Sequence, residues 1–172
     1  SRDLFYGLWV PDVFMQRVIT AMQTNDEEST VMWSLFDPKC VPELGDLYGE
    51  AFTVAYEAAE ARGLFSKQVR IRDLWCKILE TQIETGVPYI LYKDHCNRKS
   101  NHKNLGTIRN SNLCAEILEF SSPEETAVCT LGSISLPACI RNGVFDYNSL
   151  YEVSRLMIRT LDRAIDVTIY PT

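Results

Sequence analysis

Three side chains of different chemistry alternate in the second half of the chain. Asn112, Cys114 and Glu116 are each separated by a single residue. In an extended segment, residues two apart share one face, so an amide, a thiol and a carboxylate would point at one substrate, with Leu113 and Ala115 on the other face. The same spacing suits a strand with one polar face and an ordinary small cysteine, and spacing alone leaves both interpretations open.

A thiol beside a carboxylate favours some reactions over others. A cysteine nucleophile needs its thiolate, whereas a nearby negative charge such as that of Glu116 keeps the proton on the thiol. The two histidines, His95 and His102, lie in a separate polar stretch, so a Cys–His hydrolase is disfavoured. A neutral thiol suits hydrogen-atom chemistry better. Glu116 would then act as general base for a hydroxyl proton, and Asn112 would orient the substrate.

The other cysteines form no local motif. No two cysteines have C-x-x-C spacing, so the sequence contains no local motif for a structural zinc site or a redox couple. We therefore predict no metal site. The amino-acid sequence shows no signal peptide, so reduced thiols in a cytoplasmic protein are expected rather than a disulfide framework. The six cysteines are Cys40, Cys76, Cys96, Cys114, Cys129 and Cys139.

Composition narrows the class of protein. The 172 residues are 46% hydrophobic and 23% charged, enough for one domain with a core. A net charge of -6 argues against a protein that binds nucleic acid in a groove of the duplex, which needs a dense cationic surface. No apolar run approaches the roughly 20 residues of a membrane span, so we expect a soluble protein with no membrane partner.

Helical periodicity alternates with short apolar runs along the chain. Strands are predicted at residues 4–10, 88–92, 127–131 and 133–136. Helices are predicted from residues 11–12 onward, over 46–62 with Gly63 as the C-terminal stop, over 71–84 with Gly86 ending it, and after a capping Asp146. Loops or irregular chain are predicted over 23–30, 33–42 and 93–104. The basic residues of the last stretch, Lys93, Arg98, Lys99 and Lys103, favour a solvated loop there. The predicted buried positions are Phe14, Val18 and Ala21; Leu47, Ala51, Ala55 and Ala58; Leu74, Ile78 and Leu79; and Leu150, Val153, Met157, Leu161 and Ile165.

This alternation predicts the α/β fold class, with mainly parallel strand pairing. The predicted strands are too few to close a barrel. The chain also begins without Met and ends directly after a helical pattern, so we expect an internal fragment of a longer protein.

Several motifs in one order make the chain recognisable. Asn112-Leu113-Cys114-x-Glu116, followed by Ala127-Val128-Cys129-Thr130-Leu131, resembles the active-site region of class I ribonucleotide reductase large subunits. The likeness continues in Arg2-Asp3-Leu4-Phe5-Tyr6-Gly7-Leu8-Trp9-Val10-Pro11-Asp12, Glu84-Thr85-Gly86-x-Pro88-Tyr89, Tyr92-Lys93-Asp94-x-Cys96-Asn97-Arg98-Lys99-Ser100-Asn101 and Asn104-Leu105-Gly106-Thr107-Ile108. It covers essentially the whole chain.

The resemblance implies a fold and a set of roles. The fold would be part of a ten-stranded α/β barrel, incomplete in this chain, with a central finger loop at about residues 104–119. Cys114 would form the thiyl radical that abstracts the ribose 3′-hydrogen. Glu116 would take the 3′-hydroxyl proton, and Asn112, with Leu113, would bind the substrate. Cys129 would be one of two cysteines that reduce the 2′-position and end as a disulfide, its partner lying on an earlier barrel strand outside this chain.

The resemblance also implies partners. The substrate would be a ribonucleoside diphosphate, the radical would come from a small, metal-containing subunit, and thioredoxin or glutaredoxin would re-reduce the cysteines. Large subunits of this family form homodimers and respond to ATP and dNTP effectors through a regulatory domain expected before Ser1. We therefore expect no cofactor bound directly by this segment and no reductase activity from these 172 residues alone.

Two alternatives to this interpretation stay open. The chain could belong to another thiyl-radical enzyme of the same barrel family, such as an anaerobic glycyl-radical reductase. It could also be a non-catalytic binding or regulatory remnant, although the presence of Asn112, Cys114, Glu116 and Cys129 speaks against decay. The resemblance assigns no role to Cys40, Cys76, Cys96 or Cys139.

Overall fold

The computed structural model describes residues 4–24 and 30–170. The chain divides into two compact units, Ser1–Glu124 and Glu125–Thr172. The start of the motif at Arg2 and the centre of the predicted loop over 23–30 lie outside the described residues. In the described ranges, no helix is both long and apolar enough to span a bilayer.

The first unit alternates short strands with helices. Its strands pair as β1 with β4, in parallel, and β2 with β3, antiparallel. Among the described residues no sheet has more than two strands, as expected for an incomplete barrel. The elements are β1 (Gly7–Val10), α1 (Asp12–Gln23), β2 (Met32–Leu35), a 3-10 turn (Pro42–Gly45), α2 (Gly49–Ala61), β3 (Lys67–Arg70), α3 (Ile71–Thr85), β4 (Tyr89–Tyr92) and α4 (Lys93–Lys99).

The core of this unit forms around α1, as its spacing predicts. Phe14, Val18 and Ala21 are buried and pack with Val10 and Ile71. Trp33 stacks on Tyr56 and meets Phe14 edge-on, so aromatic rings join α1 to α2. These contacts hold β1 and the start of α1 in a fixed position relative to each other.

The predicted buried faces of α2 and α3 are partly wrong. In α2 the buried residues are Phe52, Tyr56 and Ala59, because large aromatic side chains remove more apolar surface from water than alanine does. Of the predicted stripe, Leu47 packs against this cluster and Ala55 is half-buried, whereas Ala51 and Ala58 are exposed. In α3, Leu74 and Ile78 pack inward as predicted. Leu79 is exposed instead, and Trp75 joins the core.

Both helices end at the predicted glycines. Gly63 and Gly86 have φ of +68° and +78°, a left-handed conformation that glycine adopts without a Cβ clash.

Two stretches predicted as irregular or loop contain regular structure. The 33–42 segment opens with β2, whose Ser34 is buried and pairs opposite Gln68. The polar connection 93–104 begins with α4, and Lys93, Asp94 and Asn97 on it are buried. Hydrophobic periodicity could not reveal α4, because its buried side chains are polar.

The second unit is built on one long helix, α5 (Tyr147–Val167). A 3-10 turn (Leu136–Cys139) and a hairpin of β5 (Ile140–Arg141) and β6 (Val144–Phe145) precede it. Asp146 caps α5 as predicted, its side chain accepting hydrogen bonds from the N–H groups of Asn148 and Ser149.

The predictions for the rest of this unit are confirmed only in part. Residues 127–135 have no regular secondary structure, so the strands predicted at 127–131 and 133–136 are wrong; an extended segment becomes a strand only when another pairs with it. A Cβ at Gly132 would lie 2.6 Å from the sulfur of Met157, so this segment packs closely on α5. Along the predicted apolar face Leu150, Met157 and Leu161 are half-buried, whereas Val153 and Ile165 are exposed.

Candidate functional site

The residues of the predicted finger loop depend on a small buried polar helix, α4. The carboxylate of Asp94 is fully buried and accepts two hydrogen bonds of 2.7 Å, from the N–H of Asp12 and from the N–H of Gly49. These are the first residues of α1 and α2, where free N–H groups and the helix dipole favour a negative charge. Asp94 therefore holds two helices and α4 at one point.

The neighbouring Lys93 ties α4 to the 3-10 turn. Its ammonium group donates to the carbonyl of Leu44 at 2.9 Å and lies 4.7 Å from the centre of the Phe52 ring. Burial lowers the pKa of Lys93 to about 8, and the nearby carboxylates of Asp94 and Asp46 partly oppose this. Lys93, which the sequence predicts to lie in a solvated loop, is thus buried in the packed interior of the first unit.

The third buried polar residue of α4, Asn97, contacts the loop itself. Its Oδ1 accepts from the N–H of Ile108 at 2.6 Å, and its Nδ2 donates to the carbonyl of Ile108 at 3.0 Å. Nδ2 also donates to the carbonyl of Lys93 at 3.0 Å. Ile108 is itself fully buried, so the start of the loop is fixed at this residue.

A second attachment lies on either side of Ile108. The hydroxyl of Thr107 donates to the carbonyl of Asp46 at 2.7 Å, and Arg109 forms an ion pair with the carboxylate of Asp46. The three consecutive residues 107–109 are therefore bonded to both α4 and the segment before α2.

The two stems of the loop are joined to each other. The ring nitrogen Nδ1 of His102 accepts from the N–H of Phe120 at 3.2 Å, which requires this nitrogen to be unprotonated. A Cβ at Gly106 would lie 2.3 Å from the Phe120 ring, so only glycine allows this approach. The loop is thus closed at its base by contacts between residues 102, 106 and 120.

The tip of the loop is a turn, which corrects the prediction of an extended segment. The N–H of Ala115 donates to the carbonyl of Asn112 at 3.1 Å, and Ala115 has φ of +64°. The side-chain oxygen of Asn112 accepts from the N–H of Ile117 at 3.1 Å, and the hydroxyl of Ser111 donates to the carbonyl of Ile117 at 2.6 Å. These cross-loop bonds replace the alternation expected from spacing.

The turn places the predicted site residues unequally. Cys114 and Glu116 are exposed, and neither makes a side-chain hydrogen bond within the described part of the chain. Asn112 is half-buried and Leu113 is 64% exposed. A thiol exposed at the tip of a turn with fixed stems can meet a ligand brought to it.

A cleft of about 200 Å³ lies between this loop and the parallel strands β1 and β4. Its wall combines aromatic rings with donors and acceptors, including the predicted substrate-binding residues Asn112 and Leu113. The apolar rings and the few polar groups of this lining are typical of a site for a small ligand. The lining residues are Phe5, Gly7, Trp9, Tyr89, Leu91, Arg109, Asn110, Ser111, Asn112 and Leu113.

The remaining cysteines differ in exposure. Cys129 belongs to the second unit and is half-buried. Cys139 is buried and Cys40 exposed, while burial raises the pKa of the Cys96 thiol. Among residues 4–24 and 30–170, no group of three His, Cys, Asp or Glu side chains could hold a metal ion.

Sequence reasoning missed the roles of Lys93, Asp94 and Asn97. They stood within a motif that carries the family resemblance, but their composition predicted a solvated loop. The available signal was the spacing: positions 93, 94 and 97 share one side of a helix, and polar residues at such positions can be the buried ones.

Comparison with known proteins gives one consistent result. The whole chain, residues 1–172, matches the model of the family described as "Ribonucleotide reductase, barrel domain". It is 52% identical over 171 residues to a "Ribonucleoside-diphosphate reductase large subunit" of Trypanosoma brucei brucei, covering 99% of this chain and 19% of that protein. In all, 70 curated proteins match the chain with statistical significance.

Fungal and plant proteins give the same picture. Identity is 49% over 173 residues to a "Ribonucleoside-diphosphate reductase large chain" of Neurospora crassa, with 99% of this chain and 18% of that one covered. It is 45% over 191 residues to a large subunit of Arabidopsis thaliana, with 99% and 22% covered. The chain spans about a fifth of the length of the curated relatives it matches.

Proposed function

The chain belongs to the ribonucleotide reductase barrel-domain family, and on that premise we propose that it carries the catalytic loop of an enzyme that reduces ribonucleoside diphosphates to 2′-deoxyribonucleoside diphosphates. The observation that carries the proposal is the placement of Cys114. It lies exposed at the tip of a loop whose stems are fixed and whose preceding residues line a cleft.

In this proposal the thiyl form of Cys114 removes the ribose 3′-hydrogen as an atom, which forms an S–H bond and a carbon radical. The small, metal-containing subunit supplies the initial radical. Glu116 accepts the proton of the 3′-hydroxyl, and the amide of Asn112 holds the substrate. Exposure of Cys114 and Glu116 leaves both groups open to a substrate.

The reduction itself needs two electrons and a leaving group. Cys129 and a second cysteine supply two electrons and two protons: one proton leaves with the 2′-hydroxyl as water, the other hydrogen forms the new C2′–H bond, and the two sulfurs become a disulfide. Cys114 then returns its hydrogen to C3′ and regains the radical. Thioredoxin or glutaredoxin then reduces the disulfide. We propose that Cys129 acts in this pair, and that Cys114 does not.

The organisation of the intact enzyme is part of the proposal. Residues 1–172 form a portion of the catalytic barrel with its finger loop at about 104–119, while regulatory and C-terminal parts lie in other segments. The large subunit pairs with a second copy and responds to ATP and dNTP effectors in the cytoplasm. The two-stranded sheets of the described residues do not close a barrel, so these 172 residues alone are expected to be inactive.

A direct assay tests the proposal. The full-length large subunit that contains these residues, mixed with its small subunit and a dithiol reductant, should convert ribonucleoside diphosphate to the deoxy product. The 172-residue chain in the same mixture should produce none. Absence of product from the full-length protein would refute the function, and turnover by the short chain would refute the need for the other segments.

A further inference from the structure

We propose that Asn97 is a positioning residue for nucleotide reduction, because it fixes the course of the loop that carries Asn112 and Cys114. This inference rests on the proposed function for its catalytic consequence. Its structural part, the attachment of the loop to α4 by one amide side chain, has its own test.

The contact between Asn97 and Ile108 satisfies the side-chain amide and the backbone at once. Asn97 is 2% exposed and Ile108 is fully buried. Ile108 donates to Oδ1 at 2.6 Å and accepts from Nδ2 at 3.0 Å, the exchange that a neighbouring strand would otherwise make. The second proton of Nδ2 goes to the carbonyl of Lys93 at 3.0 Å, so both protons of this amide nitrogen are used.

The residue that makes this contact is itself fixed. Three positions earlier on α4, Asp94 binds the first N–H groups of α1 and α2, so α4 cannot shift without breaking both caps. Asn97 therefore fixes the position of the loop relative to the helices α1, α2 and α4. Ile108 precedes Asn112 by four residues, and the ends of that short segment are both hydrogen-bonded.

Catalytic rate is sensitive to this kind of support. A shift of about 1 Å in a reacting group can cost around 100-fold in rate without loss of ligand affinity. Cys114 and Glu116 make no side-chain hydrogen bond of their own in the described part of the chain, so their position depends on the backbone of the loop. The hydrogen bonds between Asn97 and Ile108 are the buried contacts that hold this backbone in place.

Asn97→Asp separates the two halves of the contact. The carboxylate still accepts from the N–H of Ile108, but its second oxygen faces the carbonyls of Ile108 and Lys93 and repels them. Protonation of the carboxyl group restores a donor toward those carbonyls. The defect should therefore be largest at neutral pH and smaller in acid, because burial beside two carbonyls favours the protonated form.

The matched control is Asn101→Asp. It makes the same chemical change four residues later, at an exposed side chain. Both variants are prepared in the full-length large subunit and assayed with the small subunit and a dithiol. Hydrogen exchange measured by mass spectrometry reports the loop 104–119 and the helices α1 and α2 in the same samples.

We expect kcat of Asn97→Asp to fall at least about 10-fold at pH 7.5, with the Kd for ribonucleoside diphosphate within about 2-fold of wild type. The ratio of its kcat to that of wild type should recover toward pH 6, exchange should accelerate in the loop alone, and Asn101→Asp should match wild type.

Three results would overturn the proposal. They are wild-type kcat at pH 7.5, unchanged exchange in the loop, or exchange that accelerates equally in α1 and α2, which would make Asn97 a general stability residue. An inactive wild-type enzyme would refute the proposed function instead, while the exchange data would still test the attachment.

Discussion

Across the turn that carries Cys114, the side-chain oxygen of Asn112 accepts a hydrogen bond from the backbone N–H of Ile117 at 3.1 Å. The hydroxyl of Ser111 lies 3.3 Å from the same oxygen. Because Oδ1 is engaged in holding the turn, the Nδ2 group is the part of Asn112 available to a substrate in the cleft. Oδ1 of Asn112 would then stabilise the turn, and Nδ2 of the same side chain would bind the ligand.

Asn112→Asp should separate these two functions. The carboxylate keeps an acceptor for Ile117 and Ser111 but loses the donor, and it repels an anionic nucleotide. A lost hydrogen bond costs about 0.5–1.5 kcal/mol, so we expect this loss to lower kcat/KM by about 2- to 12-fold, with hydrogen exchange in the loop unchanged. Faster exchange throughout residues 111–117 would mean that the substituted turn has opened and would contradict the division of roles.

Asp94→Ala should loosen two helices at once. Each lost helix cap costs typically about 1 kcal/mol, so removal of both should cost at least about 2 kcal/mol. Hydrogen exchange of peptides from the first turns of α1 and α2 is the measurement, and it should accelerate about 5-fold in each, since each helix loses one cap of about 1 kcal/mol. Acceleration in only one helix would show that the double cap is not formed.

The control for Asp94 is Asp73→Ala on α3. Asp73 is exposed and pairs with the side chain of Arg70 at 2.7 Å. An exposed ion pair contributes less than about 1 kcal/mol, so this variant should leave α1 and α2 unchanged.

Lys93 should give the first unit a characteristic pH dependence. Burial lowers the pKa of Lys93 from 10.5 to about 8 in the folded protein. Between these values the unfolded chain binds a proton that the folded chain lacks, so the free energy of unfolding attributable to Lys93 rises with pH. Below pH 8 both states carry the proton and the dependence vanishes.

Lys93→Met isolates this contribution, since methionine keeps an apolar stem over Phe52 without the charge. The difference in free energy of unfolding, wild type minus variant, should increase between pH 8 and pH 10. Urea unfolding followed by tryptophan fluorescence measures it, because Trp9, Trp33 and Trp75 all lie in the first unit. A difference that stays constant across this range would show that Lys93 is not perturbed.

Cys129→Ser should abolish repeated turnover in the full-length enzyme. Serine cannot supply electrons or form the disulfide, so steady-state formation of deoxynucleotide should fall to background while diphosphate binding is kept. Cys40→Ser, at an exposed thiol with no assigned role, is the control and should match wild type. Undiminished turnover by Cys129→Ser would remove this thiol from the proposed reaction.

The elements that the sequence predicted well are those specified by local patterns along the chain. The face of α1 with Phe14 and Val18, the ends of α2 and α3 at Gly63 and Gly86, and the Asp146 cap follow from local rules. Each depends on contacts or conformations within a few residues, which a local pattern records.

The missed features are stabilised by contacts between distant segments. Asp94 binds residues 82 and 45 positions away, and Asn97 binds Ile108. No local pattern marks such partners. The turn at the loop tip was missed for another reason: Ala115 adopts a positive φ that alanine seldom takes, so its residue type predicts the extended alternation instead.

The candidate site was predictable in its residue types more than in its shape. Asn112, Cys114 and Glu116 were selected by alternation and by resemblance, and the structure places all three on one loop. The aromatic wall of the cleft, with Trp9 and Tyr89, arises from the parallel pairing of β1 and β4, which joins residues about 80 positions apart. Only the fold reveals that wall.

The role of Cys114 is tested by the substitution Cys114→Ser in the full-length large subunit. Serine keeps the approximate size and exposure of the side chain, but it has no sulfur and so cannot form a thiyl radical. With the small subunit and a dithiol present, the variant should make no deoxynucleotide while its Kd for ribonucleoside diphosphate stays within about 3-fold of wild type. Normal turnover by Cys114→Ser would contradict the central claim that this thiol starts the reaction.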